Sequence, residues 1–190
     1  MKPTLRTTSL ALALLLAPLA AHADRYRVEA LVFLNPPPTE AGHAPQQPEL
    51  ARAYALDDSN GLAGAGISLQ ADSASVLSAE WANLRAAKRY QPLLRLAWTQ
   101  DNPPAANGPA LRLYAPSGDG VSGLDGWLRL SAGRFPHIEA DLEYVQSLDG
   151  QPQGYRLREQ RKTPNANLQY LDSARLGLLV RVVKLDAPKP

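Results

Sequence analysis

From residue 124 to residue 158 the chain repeatedly alternates apolar and polar side chains, which commits it to strands with one covered face. Leu124, Gly126, Leu128 and Leu130 alternate with Asp125, Trp127, Arg129 and Ser131. Ile138, Ala140, Leu142 and Tyr144 alternate with His137, Glu139, Asp141 and Glu143, and Tyr155 and Leu157 with Arg156 and Arg158. Successive strand residues point to opposite faces, so each run carries one apolar and one polar face. Asp149-Gly150 is a hairpin signal between the last two runs. Strands joined by such tight turns are antiparallel.

The rest of the chain supplies fewer, shorter signals. Residues 25–34 alternate at first and then become apolar on both faces, as in a central strand; 177–185 reads the same way apart from Arg181 and Lys184. Leu94, Leu96 and Trp98 mark one strand and Leu111 and Leu113 another, while 164–176 reads as a turn or short helix. Asp72 or Ser73 is a candidate N-cap for a helix with Leu77, Trp81 and Leu84 on one face, ended by Pro92. Residues 35–71 are rich in Pro, Gly, Ala and Gln without periodicity, and their composition predicts a loose insertion. The expected fold class is α+β: a mostly antiparallel sheet with one main helix packed on a face. A ferredoxin-like arrangement with the two apolar end strands side by side fits that order.

The N-terminus predicts export. Lys2 and Arg6 precede the apolar run Leu10–Ala17, Pro18 breaks it, and Ala21-His22-Ala23 is a small-x-small cleavage pattern. The run is far shorter than the roughly 20 residues of a membrane span. Residues 1–23 therefore read as a signal peptide cut between Ala23 and Asp24, leaving residues 24–190 as a single domain in the bacterial periplasm. The chain has no cysteine, so there is no site for a lipid anchor and no disulfide, and packing alone must hold the fold. Cleavage removes two basic residues and no acidic one, leaving 18 of each sign. That neutrality argues against nucleic acid as a partner.

No catalytic set emerges. The sequence has no Gly-x-Ser-x-Gly elbow, no Ser-x-x-Lys and no phosphate-cradling loop, and its histidines lack metal-ligand spacing. His137, Glu139 and Asp141 share a strand face, but same-face neighbours lie about 6.6 Å apart, too far for compact ligation. The expectation is no catalytic residue, no metal and no cofactor. Glu139, Asp141 and Glu143 instead read as an acidic ladder against Arg156, Arg158 and Lys162, a register device on a solvated face. Opposing arginines would keep those carboxylates ionised rather than poised as acids for glycoside hydrolysis. Trp127, beside Arg129 on the polar face, is a candidate stacking platform for a sugar or peptide unless a loop covers that face.

Arg158, Arg161 and Lys162 lead through Leu168-Gln169-Tyr170-Leu171-Asp172 to Leu176-Gly177-Leu178-Leu179-Val180-Arg181. This order of basic residues, a Leu-x-Tyr-hydrophobic-Asp segment and a Gly-led apolar strand resembles the closing signature of the CsiV family of peptidoglycan-binding proteins. Tyr26–Phe33 resembles the family's opening strand, and Leu124-Asp125-Gly126, Gly133-Arg134 and Leu142-x-Tyr144 its central hairpin. The resemblance implies a small periplasmic protein that binds peptidoglycan and assists wall synthesis through an outer-membrane lipoprotein activator of penicillin-binding proteins. Trp127, Arg158, Arg161 and Tyr170 are then the candidate contacts. A protein–protein adaptor without direct glycan binding is the alternative, with a wall hydrolase behind it.

Overall fold

The computed structural model describes residues 24–185. The expected signal peptide, with Ala23 of its cleavage pattern, lies outside the described residues, and Asp24 is the first of them. In chain order the elements are β1 (Arg25–Leu34), β2 (Ala53–Tyr54), α1 (Ser59–Gly64), β3 (Ile67–Leu69), a 3-10 turn (Asp72–Ala74), α2 (Ser78–Ala86), β4 (Gln91–Asp101), β5 (Ala110–Pro116), β6 (Gly123–Ala132), β7 (Pro136–Leu148), β8 (Gln151–Lys162), β9 (Gln169–Asp172) and β10 (Leu176–Leu185).

These strands make two sheets, ordered β3-β4-β1-β10-β9 and β2-β5-β6-β7-β8. The expected α+β fold, with one sheet and one main helix, is therefore incorrect: the fold is mostly β, and it is not ferredoxin-like. The alternating runs identify strands correctly but carry no mark of which sheet each joins. β1, β3 and β4 join the last two strands in one sheet, while the middle hairpins form the other with β2 at its edge. The first and last strands do lie side by side, antiparallel from Arg25↔Leu185 to Leu34↔Leu176.

The sheets pack face to face over one core. Val28, Ala30, Val32 and Leu34 of β1 and Leu178 and Val180 of β10 share it with Leu111, Leu128, Leu130, Ile138 and Leu142 of the second sheet. The even positions of β6 turn inward, as the alternation predicts. β1 is apolar on both faces because its odd residues enter a second cluster, in which Leu31 and Phe33 meet Leu77 and Leu84 of the α2 region. Burying Leu77 and Leu84 contributes about 1.5–3 kcal/mol each. The apolar stripe Leu77–Trp81–Leu84 is thus as expected, but the helix starts at Ser78, after a separate 3-10 turn at 72–74. The segment 164–176, expected as a turn or short helix, contains β9, an edge strand on β10.

The Pro-rich segment differs most from expectation. Residues 35–71 hold β2, α1 and β3, and the stretch between β1 and β2 lies across the second sheet as a strap. Asn35 turns the chain there: its amide N–H donates to the Arg175 carbonyl at 2.8 Å and its side chain donates to the carbonyls of Ser173 and Leu176. Arg175, 9% exposed, returns a guanidinium bond to the Asn35 carbonyl and another to Gln146. Burial pulls the Arg175 guanidinium below its ordinary pKa. The β7–β8 hairpin is as predicted, with φ of 51° at Asp149 and 76° at Gly150, the left-handed pair that a two-residue turn requires.

Gly126, inside β6, has φ of 149°, and a Cβ there would sit 2.2 Å from the Asp141 carbonyl oxygen of β7. A backbone oxygen cannot swing aside as a side chain can. Gly126→Ala is expected to lower stability by about 3 kcal/mol, read as a fall in the urea midpoint at unchanged m-value.

Candidate functional site

The polar face of the second sheet is a grid set by register. One row runs Arg112–Trp127–Asp141–Arg158, the next Tyr114–Asp125–Glu143–Arg156, and a third Ala110–Arg129–Glu139–Gln160. Arg112 grips Asp125 through two bonds of 2.9 and 3.0 Å. Arg156 grips Asp141 through bonds of 2.7 and 2.8 Å, and Arg158 approaches the same carboxylate at 3.9 Å. The ladder therefore pairs diagonally: Arg156 faces Glu143 in register but holds Asp141. Glu139 is held by Arg129 of β6, at 3.3 Å, and from β8 it accepts only the neutral amide of Gln160, at 3.2 Å.

This face is not the solvated surface the sequence suggests. Asp141 is 4% and Glu143 2% exposed, because the strap lies over them. The strap is fastened at three places. His43 and Gly154 of β8 exchange backbone bonds of 3.0 and 2.8 Å. The Gln46 amide N–H donates to Glu143 Oε1 at 3.1 Å, while Arg156 donates to the Gln46 side chain at 2.8 Å. At the far side Ala110 donates to the Arg52 carbonyl at 2.9 Å, and β2 continues parallel to β5. Gly154 is required at the first fastening, since a Cβ would meet Glu143 Oε1 at 2.3 Å and the His43 ring at 2.9 Å.

Between strap and sheet lies a cleft of about 690 Å³. The strap contributes Gln47, Glu49 and Arg52, and the sheet Trp127, Arg129 and Arg158. Arg129 lies over the Trp127 ring, 4.3 Å from its centroid, and also donates to the Gly108 carbonyl at 2.9 Å. The Trp127 indole N–H is buried with no hydrogen-bond partner among the described residues. An indole donor without an acceptor is costly to bury.

Of the four residues singled out in the sequence, two meet here: Trp127 and Arg158 line the cleft, Arg158 with a side chain 75% exposed. The other two are elsewhere. Arg161 has the opposite strand parity to Arg158 and pairs with Glu159. Tyr170 lies on β9 of the other sheet, stacked on Phe33 at 6.3 Å, with its hydroxyl pKa raised by burial and by Asp172. The strap residues are absent from the sequence reading, which places Trp127 beside Arg129 but does not stack one on the other. The spacing Trp127-x-Arg129 on one face carried the stack as a signal; nothing in the irregular 44–52 stretch signalled that it would form a wall.

Glu143 departs from the expectation that arginines hold all three carboxylates ionised. Burial under the strap pushes its carboxyl above the ordinary value, against the lowering influence of the Gln46 N–H, His43 and Arg156. Its Oε2 has no partner among the described residues.

A family model described as "Peptidoglycan-binding protein, CsiV" matches residues 5–185, nearly the whole chain. No curated protein and no solved structure matches.

A raised carboxyl pKa in the folded state means that ionising Glu143 costs stability. Its contribution is fully present below the ordinary value near 4.5 and is lost as pH rises through the raised one. Glu143→Gln, which keeps an acceptor for Gln46, is expected to lack that loss. Urea midpoints measured from about pH 4 to about pH 8 should show the variant gaining on the native chain as pH rises, with the difference shrinking toward acid.

Proposed function

We propose that this chain, which belongs to the CsiV family of peptidoglycan-binding proteins, holds the wall polymer in the cleft between the strap and the second sheet. The observation that carries this reading is the meeting of Trp127, Arg129 and Arg158 opposite Glu49 and Arg52 in one opening. The polymer combines sugar rings with short peptides that bear carboxylates and amines. A cleft with an aromatic ring and fixed charges of both signs matches that mixture. Its attraction is local, because the chain without residues 1–23 has 18 basic and 18 acidic residues.

The role in this reading is binding without cleavage. Asp141 and Glu139 are engaged by Arg156 and Arg129. Glu143 carries a raised pKa, but it is 2% exposed beneath the strap and its Oε1 is taken by the Gln46 N–H. The signal peptide would deliver the protein, cut after Ala23, free into the periplasm. There it would support wall assembly beside its partners, among them an outer-membrane lipoprotein activator of penicillin-binding proteins.

Co-sedimentation with purified sacculi tests the site. Trp127→Ala and Arg158→Glu are each expected to lower the bound fraction at least several-fold, on the basis of about 1–2 kcal/mol per lost contact. Val76→Ser, exposed on the helix side of the other sheet, should bind like the native chain. Native binding by both cleft variants would remove the cleft from the reading, and soluble muropeptides released from the sacculi would replace binding with hydrolysis. Intact-mass measurement on the periplasmic fraction should give a chain beginning at Asp24.

A further inference from the structure

The two sheets have four edges, and three of them are short. β2, β3 and β9 have two, three and four residues. The fourth edge is β8, with twelve residues. Short edges are a common protection against unwanted strand pairing, and β8 does not use it. Its ladder to β7 runs from His137↔Lys162 to Leu148↔Gln151 without a register shift, and beyond Pro152 it contains no proline.

The strap shows which β8 residues turn their backbone outward. Gly154 exchanges both its N–H and its carbonyl with His43, so at the strand period of two Arg156, Arg158, Gln160 and Lys162 also present theirs to the open side. Among the described residues none of these four has a backbone partner there. The strap occupies the edge at Gly154 and then leaves it for the face of the sheet, so the vacant stretch begins where the strap departs.

We propose that the free edge of β8 from Arg156 to Lys162 takes up an extended acidic segment of a partner protein as an additional strand. The main chain supplies the pairing and the side chains the choice of partner. The outward residues carry two arginines and a lysine on the polar face. Arg156 is committed to Asp141 and Gln46, whereas Arg158 is 75% exposed and Lys162 has no carboxylate within bridging distance among the described residues. On its other side β8 already has the neighbour that suits it: β7, with Glu139, Asp141 and Glu143 at alternate positions. A strand on the free side meets the same basic row, so it should carry Asp or Glu at every second position.

A second copy of the chain does not fit. Two β8 edges paired antiparallel about residue 159 place Arg156 opposite Lys162 in both halves, and like charges directly opposed destabilise a pair. The basic row thus disfavours self-association while leaving the edge open to an acidic strand. This surface lies beyond the glycan-binding reading, since it uses the main chain of the β8 edge.

The test uses the chain from Asp24 onward, isotope-labelled, with a short peptide alternating Glu and Thr. Controls are a peptide of the same composition with its Glu residues contiguous and a peptide alternating Lys and Thr. The alternating acidic peptide should slow amide exchange at Arg156, Arg158, Gln160 and Lys162 and bind about tenfold more tightly than the contiguous one. The double variant R158E/K162E should reverse the preference toward the Lys–Thr peptide. Gln160→Pro removes one outward N–H where an edge tolerates proline, and should abolish the new protection with the charge unchanged. Equal binding of the alternating and contiguous peptides, protection elsewhere, or acidic binding that survives both variants would overturn the proposal. Circular dichroism on each variant identifies a folding failure, and whichever variant folds decides between these outcomes by itself.

Discussion

The cleft depends on a single carboxylate. Glu143 Oε1 accepts the Gln46 N–H from beneath the strap, the one of its three fastenings that rests on a buried carboxylate. Its cost is visible in the same residue: burial raises the Glu143 carboxyl, and Oε2 has no partner among the described residues. The strap returns stability by other routes. It exchanges backbone bonds with Gly154, reaches the β5 edge through Arg52, and buries Pro48. Prolines in an extended strap also reduce the freedom lost on ordering, because the unfolded chain is already restricted.

Charge on this face does more than set register. Arg156 serves as a hub that joins Asp141 of β7 to Gln46 of the strap, and the bond to Asp141 holds its guanidinium above the ordinary pKa. Removing one member of such a covered pair strands the other, a loss of about 3–5 kcal/mol where burial is complete. The pairs that fasten the strap are thus committed to structure. Arg158, more exposed and only loosely near Asp141, keeps its charge available for a ligand.

Strand positions were legible in the sequence because alternation reports directly on which side chains face the core: Leu124, Leu128, Ile138 and Leu142 are all buried as their parity predicts. Partition into two sheets was not legible, since β1, β4 and β10 carry the same apolar signal whether they flank the middle hairpins or cover them. Length misled the reading of the helix, where the stripe Leu77–Trp81–Leu84 fits a long helix as well as a short one preceded by a turn. The candidate site was half legible. Trp127 could be found because strand parity places it on the polar face; Arg158 shares that face but was singled out through the family resemblance. Tyr170 and Arg161 are close in sequence to that set, yet a change of sheet separates the first and a change of face the second. The strap left no periodic mark, because its order comes from partners about a hundred residues away: Glu143, Gly154 and Arg156.

The distribution of charge resolves how a chain with no net charge beyond residue 23 can choose partners. β7 and β8 sort acidic and basic residues onto neighbouring strands, so the field is strong close to each strand and cancels at a distance. Such a surface gives little long-range steering, and it is selective only for a ligand that comes within the Debye length of about 8 Å. Contact must then be fixed by shape: a ring against the Trp127–Arg129 stack, or a main chain against the β8 edge. Both surfaces share Arg158, which lines the cleft from a strand whose backbone faces the open edge. A wall polymer in the cleft and an acidic strand on the edge would therefore compete for its guanidinium, so occupancy of one surface weakens the electrostatic part of binding at the other.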